Sequence, residues 1–388
     1  MAEPEITEWL ATQQAAMLDL LREIVNIDSG SYNKPGIDAV GAVLQRFLEG
    51  HGIAVQRIPQ SCHGDCLRAV VGTEAATGNA PRNILLMGHR DTVFPDGEAA
   101  RRPFTIRDGL AFGPGVLDMK AGLVMNAFLL AAFHRFGGAP APLVGLFTGD
   151  EEIASPEGRA VIEAEARRAA AVFNSEGGPV SGNIVTGRKG GVFMAFRVTG
   201  RAAHSGANFA DGVSAIEEMA RKIVAIHAIT DLARGITLNV GLAGGGQSVN
   251  TVAPWAEGQI DLRYIEPADR ADALARIGTV MAHTHLPGTH TEWSIRGEFL
   301  PLVQSPAARR LFDAYAAAAA EAGQHVQGDF EGGCADSGFA AATGAPTLCS
   351  VGPLGGRPHS PDEFLDIASL VPRIQTCART IARLEVAG

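Results

Sequence analysis

Apolar residues fall at Leu10, Met17, Leu18, Leu21, Ile24 and Val25, the spacing of one helix face, and predict a helix over residues 8–25. A second helix is expected over 36–51. Short apolar runs at 66–71 and 83–88 read as buried strands, and a long apolar helix follows at 120–136. A strand at 142–147, a helix at 155–168 and a strand at 171–174 complete this half. Continuous apolar strands alternating with helices predict an α/β fold with its sheet covered on both faces.

The texture changes near Arg188. Residues 190–199 alternate as a strand, followed by a helix at 212–229 and strands at 235–241 and 257–264. A helix at 267–283 and a strand at 291–296 close the series. Strand–helix–strand–strand–helix–strand order predicts a small α+β two-layer sandwich.

Composition narrows the class. A chain of 388 residues suggests two domains, and 46% hydrophobic against 19% charged content argues against disorder. The net charge of −10 and the lack of a basic stripe make nucleic acid a poor partner. No run reads as a membrane span, and the acidic start Met1-Ala2-Glu3-Pro4-Glu5 lacks a signal peptide's basic and apolar regions. A cytoplasmic protein with no membrane partner is therefore expected. Five scattered cysteines, an odd number, fit a reducing compartment. Cys62 and Cys66 lack a second ligand pair at finger spacing, and His283, His285 and His290 lie in a Pro/Gly-containing loop.

Candidate chemistry gathers where apolar runs end. His89-Arg90-Asp91 follows the run at 83–87, Glu151-Glu152 follows the strand at 142–147, and Glu176 stands before Gly177-Gly178. Asp118 follows Gly113-Pro114-Gly115, and His359 follows Pro358. Singly, a His-x-Asp is a surface or core pair, Asp-Glu-Glu a helix start, and Glu176 a turn residue. Together, imidazole and carboxylate ligands suit zinc, and two ions about 3.5–4 Å apart can polarise one water. Five ligands divide into one histidine and one acid per ion with a shared carboxylate. His89 and His359 are then the histidines, Glu176 and Glu152 the terminal acids, and Asp118 the bridge. Asp91 is placed to accept the other N–H of His89, and Glu151 is left as general base. His359 must return to the same centre, so the first domain is expected to be discontinuous. Its segments are 1–187 and 297–388, with 188–296 inserted.

The segments His89-Arg90-Asp91-Thr92-Val93, Gly113-Pro114-Gly115 through Asp118-Met119-Lys120-Ala121-Gly122, and Gly149-Asp150-Glu151-Glu152 carry a family resemblance. So do Gly332-Gly333-Cys334-Ala335-Asp336-Ser337 and His359-Ser360-Pro361-Asp362-Glu363-Phe364. The chain resembles the family of carboxypeptidase G, aminoacylase, acetylornithine deacetylase and succinyl-diaminopimelate desuccinylase over nearly its whole length. It is most similar to the glutamate carboxypeptidase branch. The resemblance implies a catalytic domain with a central mixed sheet flanked by helices, and an inserted lid and dimerisation domain. It assigns His89, Asp118 and Glu176 to one zinc, and Asp118, Glu152 and His359 to the other, with Co2+ or Mn2+ as substitutes. Glu151 becomes the base and Asp91 the partner of His89.

The same resemblance implies a homodimer in which His204 stabilises the oxyanion in the partner's site. Asn250 and Arg263 would hold the free carboxylate of a small-molecule or peptide substrate, and arginine's planar fork suits that task. Residues 181–189 offer no unambiguous cation for a second, side-chain carboxylate, although Arg188 and Lys189 stand nearby. The implied activity is hydrolysis of an amide joining an acyl group to an amino acid with a free carboxylate. A dizinc aminopeptidase or dipeptidase, and a metal-free binding protein on the same fold, stay open.

Overall fold

In the computed structural model, which describes residues 2–74 and 83–386, the run Asn83–His89 is a strand buried along its whole length. Its neighbours Leu143–Thr148 and Ala169–Asn174 both pair parallel to it. Around this centre the eight-stranded sheet runs Val55–Ile58, Cys66–Val71, Leu143–Thr148, Asn83–His89, Ala169–Asn174, Thr347–Cys349, Ile184–Arg188, Gly328–Glu331. Cys66–Val71 joins antiparallel to Leu143–Thr148, and Val55–Ile58 antiparallel to Cys66–Val71, so the sheet is mixed, as expected.

The helix Ala121–Arg135 is buried along nearly its whole length and packs on the strands Asn83–His89 and Leu143–Thr148. The helices Gln14–Val25 and Lys34–Gly50 cover it in turn. The stretch Val116–Arg135 is by length and composition apolar enough to cross a membrane, but 94% of its most apolar 18-residue window is buried inside the fold. An all-round apolar helix is here the core of an α/β layer. Gly122 lets it approach the loop after Ala169–Asn174, since a Cβ there would stand 1.9 Å from the Ser175 carbonyl oxygen.

Two elements differ from expectation for local reasons. The helix expected at 8–25 is two, Glu3–Ala11 and Gln14–Val25. Thr12 turns its hydroxyl back onto the Trp9 carbonyl at 2.7 Å, while Ile6, Leu10, Met17 and Leu21 bury on both sides of the break. The helix expected from 155 begins at Gly158, because Ala154 and Ser155 take left-handed backbone angles, φ 70° and 48°.

The chain divides into two compact units. The first is Met1–Gly187, Gln304–Glu331 and Ala335–Gly388, and the second is Arg188–Val303 with Gly332–Cys334. The second holds one antiparallel sheet in the order Thr237–Gly245, Trp255–Tyr264, Gly190–Thr199, His290–Phe299. Helices Ala215–His227 and Pro267–Ala282 pack on it around Val192, Met194, Phe196, Ile226, Ile260 and Ile277. Its last strand runs to Phe299, and Arg188 bridges Leu302, which carries the unit past residue 296 to Val303.

A second, five-stranded sheet in the first unit runs Thr105–Arg107, Leu110–Phe112, Phe364–Asp366, Leu354–Gly356, Gly178–Pro179. Through it the loop bearing His359 comes to lie beside the loop bearing Asp118.

Candidate metal centre

Three adjacent parallel strands end side by side. His89 closes Asn83–His89, Glu151 and Glu152 open the turn after Leu143–Thr148, and Glu176 follows Ala169–Asn174. The carboxyl edge of an open α/β sheet is where such folds place their sites. Asp118 comes from the turn Val116–Lys120, entered through Gly115 at φ 71°. A Cβ at Gly115 would stand 2.5 Å from the Thr92 methyl, so close packing and left-handed backbone both require glycine there. His359 is itself held at φ 59° between two strands of the small sheet.

These residues converge on Asp118. Its Oδ1 lies 3.2 Å from His89 Nε2, and its Oδ2 3.1 Å from His359 Nε2. Glu152 Oε2 is 3.3 Å from His359 Nε2, and Glu176 Oε1 is 3.6 Å from His89 Nε2. Glu151 Oε2 stands further off, 3.9 Å from His89 Nε2. Donor atoms of His89, Asp118 and Glu152 all lie within 4.8 Å of one another. Among the described residues, the two histidines are the only cationic side chains paired with these four acids. Glu152 Oε1 and Glu176 Oε1 are buried with no hydrogen-bond partner. Orphaned carboxylate oxygens beside imidazole nitrogens are a donor set that fits zinc-class cations.

The crowding shows in the proton affinities. Burial alone would lower His89, but Glu176, Asp118 and Asp91 raise it well above the usual histidine value. His359 is pushed up to about 10 by its bonds to Asp118 and Glu152. Burial raises Glu152 to about 7, and Glu151, buried beside Glu176 and Glu152, is also raised well above the ordinary range. Burial would raise Asp118 too, yet the two histidines hold it low.

Around this cluster a buried frame fixes the loops. His89 Nδ1 lies 3.0 Å from the Asp91 carbonyl oxygen and 3.3 Å from its carboxylate. The Asp91 carboxylate accepts the Glu151 and Glu152 backbone N–H groups, both at 3.1 Å, and the Ser31 hydroxyl at 2.8 Å. Arg90 turns inward, donating to the carbonyls of Thr148, Ile37 and Asp65. Gly41 makes room for it, since a Cβ there would stand 2.1 Å from Arg90 Nη1. The far side of the Glu151–Glu152 turn is held by Ser155, whose hydroxyl donates to the buried Asp336. The apolar pattern and the motif spacing single out none of Ser31, Arg90, Ser155 and Asp336. The only sequence signals were the place of Arg90 between His89 and Asp91, and of Asp336 in a family motif.

His204, Asn250 and Arg263 belong to the second unit. The first two are neighbours: Ser205 N donates to the Asn250 carbonyl at 3.0 Å, and His204 bridges Thr251. His204 Nδ1 accepts the backbone N–H groups of Gly206 and Ala207, both at 3.1 Å. The neutral ring must then carry its proton on Nε2, leaving an exposed donor. Arg263 keeps other company. Its Nε donates to Asp261 at 2.8 Å, its Nη1 reaches Cys334 Sγ at 2.7 Å, and it lies over the Phe193 ring. Of the two nearby cations, Lys189 donates to the Gly235 carbonyl at 2.8 Å and Arg188 to the Gly333 carbonyl at 3.1 Å.

An acid-and-imidazole cluster at the carboxyl edge of such a sheet suits a metal-dependent enzyme of the α/β class. The chain belongs to peptidase family M20/M25/M40, which residues 85–383 match. It is 29% identical to carboxypeptidase G2 of Pseudomonas sp. (strain RS-16) over 381 residues, 96% of this chain and 90% of that one. Acetylornithine deacetylase of Klebsiella pneumoniae (strain 342) is 27% identical over 392 residues, covering 94% and 96%. A metallo-carboxypeptidase from Sulfolobus solfataricus shares the fold with a TM-score of 0.76 at 18% identity, covering 94% of this chain and 98% of that one. Aminopeptidase PepT from Bacillus cereus does so with a TM-score of 0.73 at 20% identity, covering 95% and 98%. The resemblance read from the sequence is thereby confirmed. The protein is a metallopeptidase or amidohydrolase acting on peptide or acyl-amino-acid bonds.

Proposed function

We propose that this chain is a two-zinc hydrolase that cleaves the amide bond between an acyl or peptidyl group and an amino acid bearing a free carboxylate, in the manner of a glutamate carboxypeptidase. The observation that carries this reading is the Asp118 carboxylate, which offers one oxygen to His89 at 3.2 Å and the other to His359 at 3.1 Å. His89, Asp118 and Glu176 would hold one ion, and Asp118, Glu152 and His359 the other, with Co2+ or Mn2+ suiting the same donors. When bound, such ions supply Lewis acidity to the amide carbonyl and lower the pKa of water toward about 7.

The chain's own groups do the rest. Glu151, set back from the closest contacts, takes the proton of the attacking water and returns it to the leaving nitrogen. Asp91 fixes the ring of His89 and, through two backbone N–H groups, the turn that carries Glu151. His204 gives its Nε2–H to the developing oxyanion, and Asn250 and Arg263 take the substrate's carboxylate. A homodimer through the second unit and a cytoplasmic setting belong to the same reading; the near full-length match to carboxypeptidase G2 supports its carboxypeptidase half.

Elemental analysis should find two zinc-class ions per chain. Glu151→Gln should keep both and the fold, yet lose at least about 10²-fold in kcat. One ion per chain, or a Glu151→Gln variant with full turnover, defeats the proposal. Equal hydrolysis of substrates with free and amidated carboxylates removes its substrate half.

A further inference from the structure

A carboxylate outside the proposed ligand set ties two of its loops together. Glu363 is fully buried. Its Oε2 accepts the Gly115 backbone N–H at 2.9 Å, and its Oε1 accepts those of Leu117 at 2.8 Å and Asp118 at 2.9 Å. Glu363 closes the short turn that begins at His359, and its own N–H donates to the Ser360 carbonyl at 3.2 Å. Directly after it, Phe364–Asp366 pairs antiparallel with Leu110–Phe112, the strand that leads into the Asp118 loop. One side chain at the foot of the His359 loop thus gathers the backbone of the Asp118 loop.

The arrangement needs a carboxylate. Three N–H donors converge on two oxygens, and an ionised acid is acceptor-only at both. Leu117 and Asp118 point their N–H groups inward from a turn already constrained by the left-handed Gly115. Without Glu363 these donors are buried unpaired, and the loop must turn to satisfy them, taking the Asp118 carboxylate with it.

We propose that Glu363 is a positioning residue that sets the placement of Asp118 against His359 and thereby how tightly both metal ions are held. This rests on the reading of those two residues as ligands. Glu363 touches neither ion nor substrate and acts only through the loops it joins.

The test is metal affinity, measured by competition with a chromogenic chelator, together with the visible absorption of the cobalt-loaded protein. Glu363→Gln has one acceptor oxygen, so it must release at least one of the three bonds and turn an amide N–H toward a backbone N–H. Both ions should bind about 10–100-fold more weakly, and the cobalt bands should shift. Glu363→Asp keeps two acceptor oxygens and should recover part of the affinity; it carries the measurement if the glutamine variant does not fold. Glu157→Gln is the matched control. Glu157 also accepts three backbone N–H groups, from Ser61, Cys62 and His63, on a different loop of the same unit. It should lower Tm and leave affinity and cobalt spectrum alone. If Glu363→Gln behaves like Glu157→Gln, Glu363 is merely structural and the inference is overturned. Asp118→Asn separates the two readings: if that variant also binds two ions with unchanged affinity, the ligand assignment itself has failed.

Discussion

Glu218 in the second unit and Glu152 in the first are both acids with buried side chains, and they are kept in opposite ways. Glu218 lies 3.1 Å from Lys222, one turn along the same helix, and accepts the N–H groups of His285 and Leu286. Glu152 sits among Asp118, Glu151 and Glu176, with one oxygen 3.3 Å from His359 and the other unpartnered. A buried charge is tolerated when paired or when it coordinates a metal. At Glu218 the chain provides the cation itself. At the Asp118 cluster it gathers four acids with, among the described residues, only two imidazoles as cationic partners, and in the proposed reading the balancing charge would come from bound metal.

The sharpest test of that contrast is Glu218→Gln. Lys222 would keep the carbonyls of Val280, Met281 and His283 but lose the one carboxylate it is paired with among the described residues. Removing one partner of a buried pair costs about 3–5 kcal/mol. Chemical denaturation should show a loss of that size with metal content unchanged. A loss below about 1 kcal/mol would mean that the two acids are not kept by different means.

The proposed ligands are legible in the sequence because a strand buried on both faces must be apolar until it ends, so the first polar residues mark the sheet's edge. His89 and the Glu151–Glu152 pair are read this way, and the family confirms the fold around them. Glu363 and Asp336 are not legible by that route. The partners of Glu363 lie 245–248 residues away and that of Asp336 181 away, and apart from the family motifs that contain them nothing in the apolar pattern distinguishes either from a solvated acid. The helix break after Ala11 escapes because the same buried face continues across it. The end of the inserted unit escapes because most of His290–Phe299 is exposed and carries no clear alternation.

Asp336 gives a test of intermediate size. It is buried with the Ser155 hydroxyl as its partner, and burial pushes its carboxyl up to about 8. In the unfolded chain an aspartate titrates near 3.9. The folded state therefore keeps a proton that the unfolded state has released, and stability declines as pH rises from about 4 toward 8. Asp336→Asn retains an acceptor for Ser155 and removes that decline. Relative to the parent it should gain about 1–3 kcal/mol between pH 5 and pH 8, measured by urea denaturation of metal-stripped protein. An unchanged pH slope would show that Asp336 is ionised in the fold and balanced by charges elsewhere.

The smallest effect is the one whose sign matters most. Glu152→Gln is the same chemical change as Glu218→Gln, made at an acid with no lysine or arginine partner among the described residues. In metal-stripped protein at pH 8 it removes the cost of holding an ionised, half-unpartnered carboxylate beside Asp118 and Glu176. His359 loses one acceptor but keeps Asp118 at 3.1 Å. The stripped protein should become more stable by about 1 kcal/mol, since replacing a poorly paired buried charge with a neutral group of like volume is favourable. The same substitution should weaken metal retention, because a proposed ligand has lost its charge. Stability up without metal and affinity down with it is the signature of an acid kept for a cation. If Glu152→Gln instead destabilises the stripped protein as Glu218→Gln does, the acids around Asp118 are ordinary structural charges, and the contrast between the two units disappears.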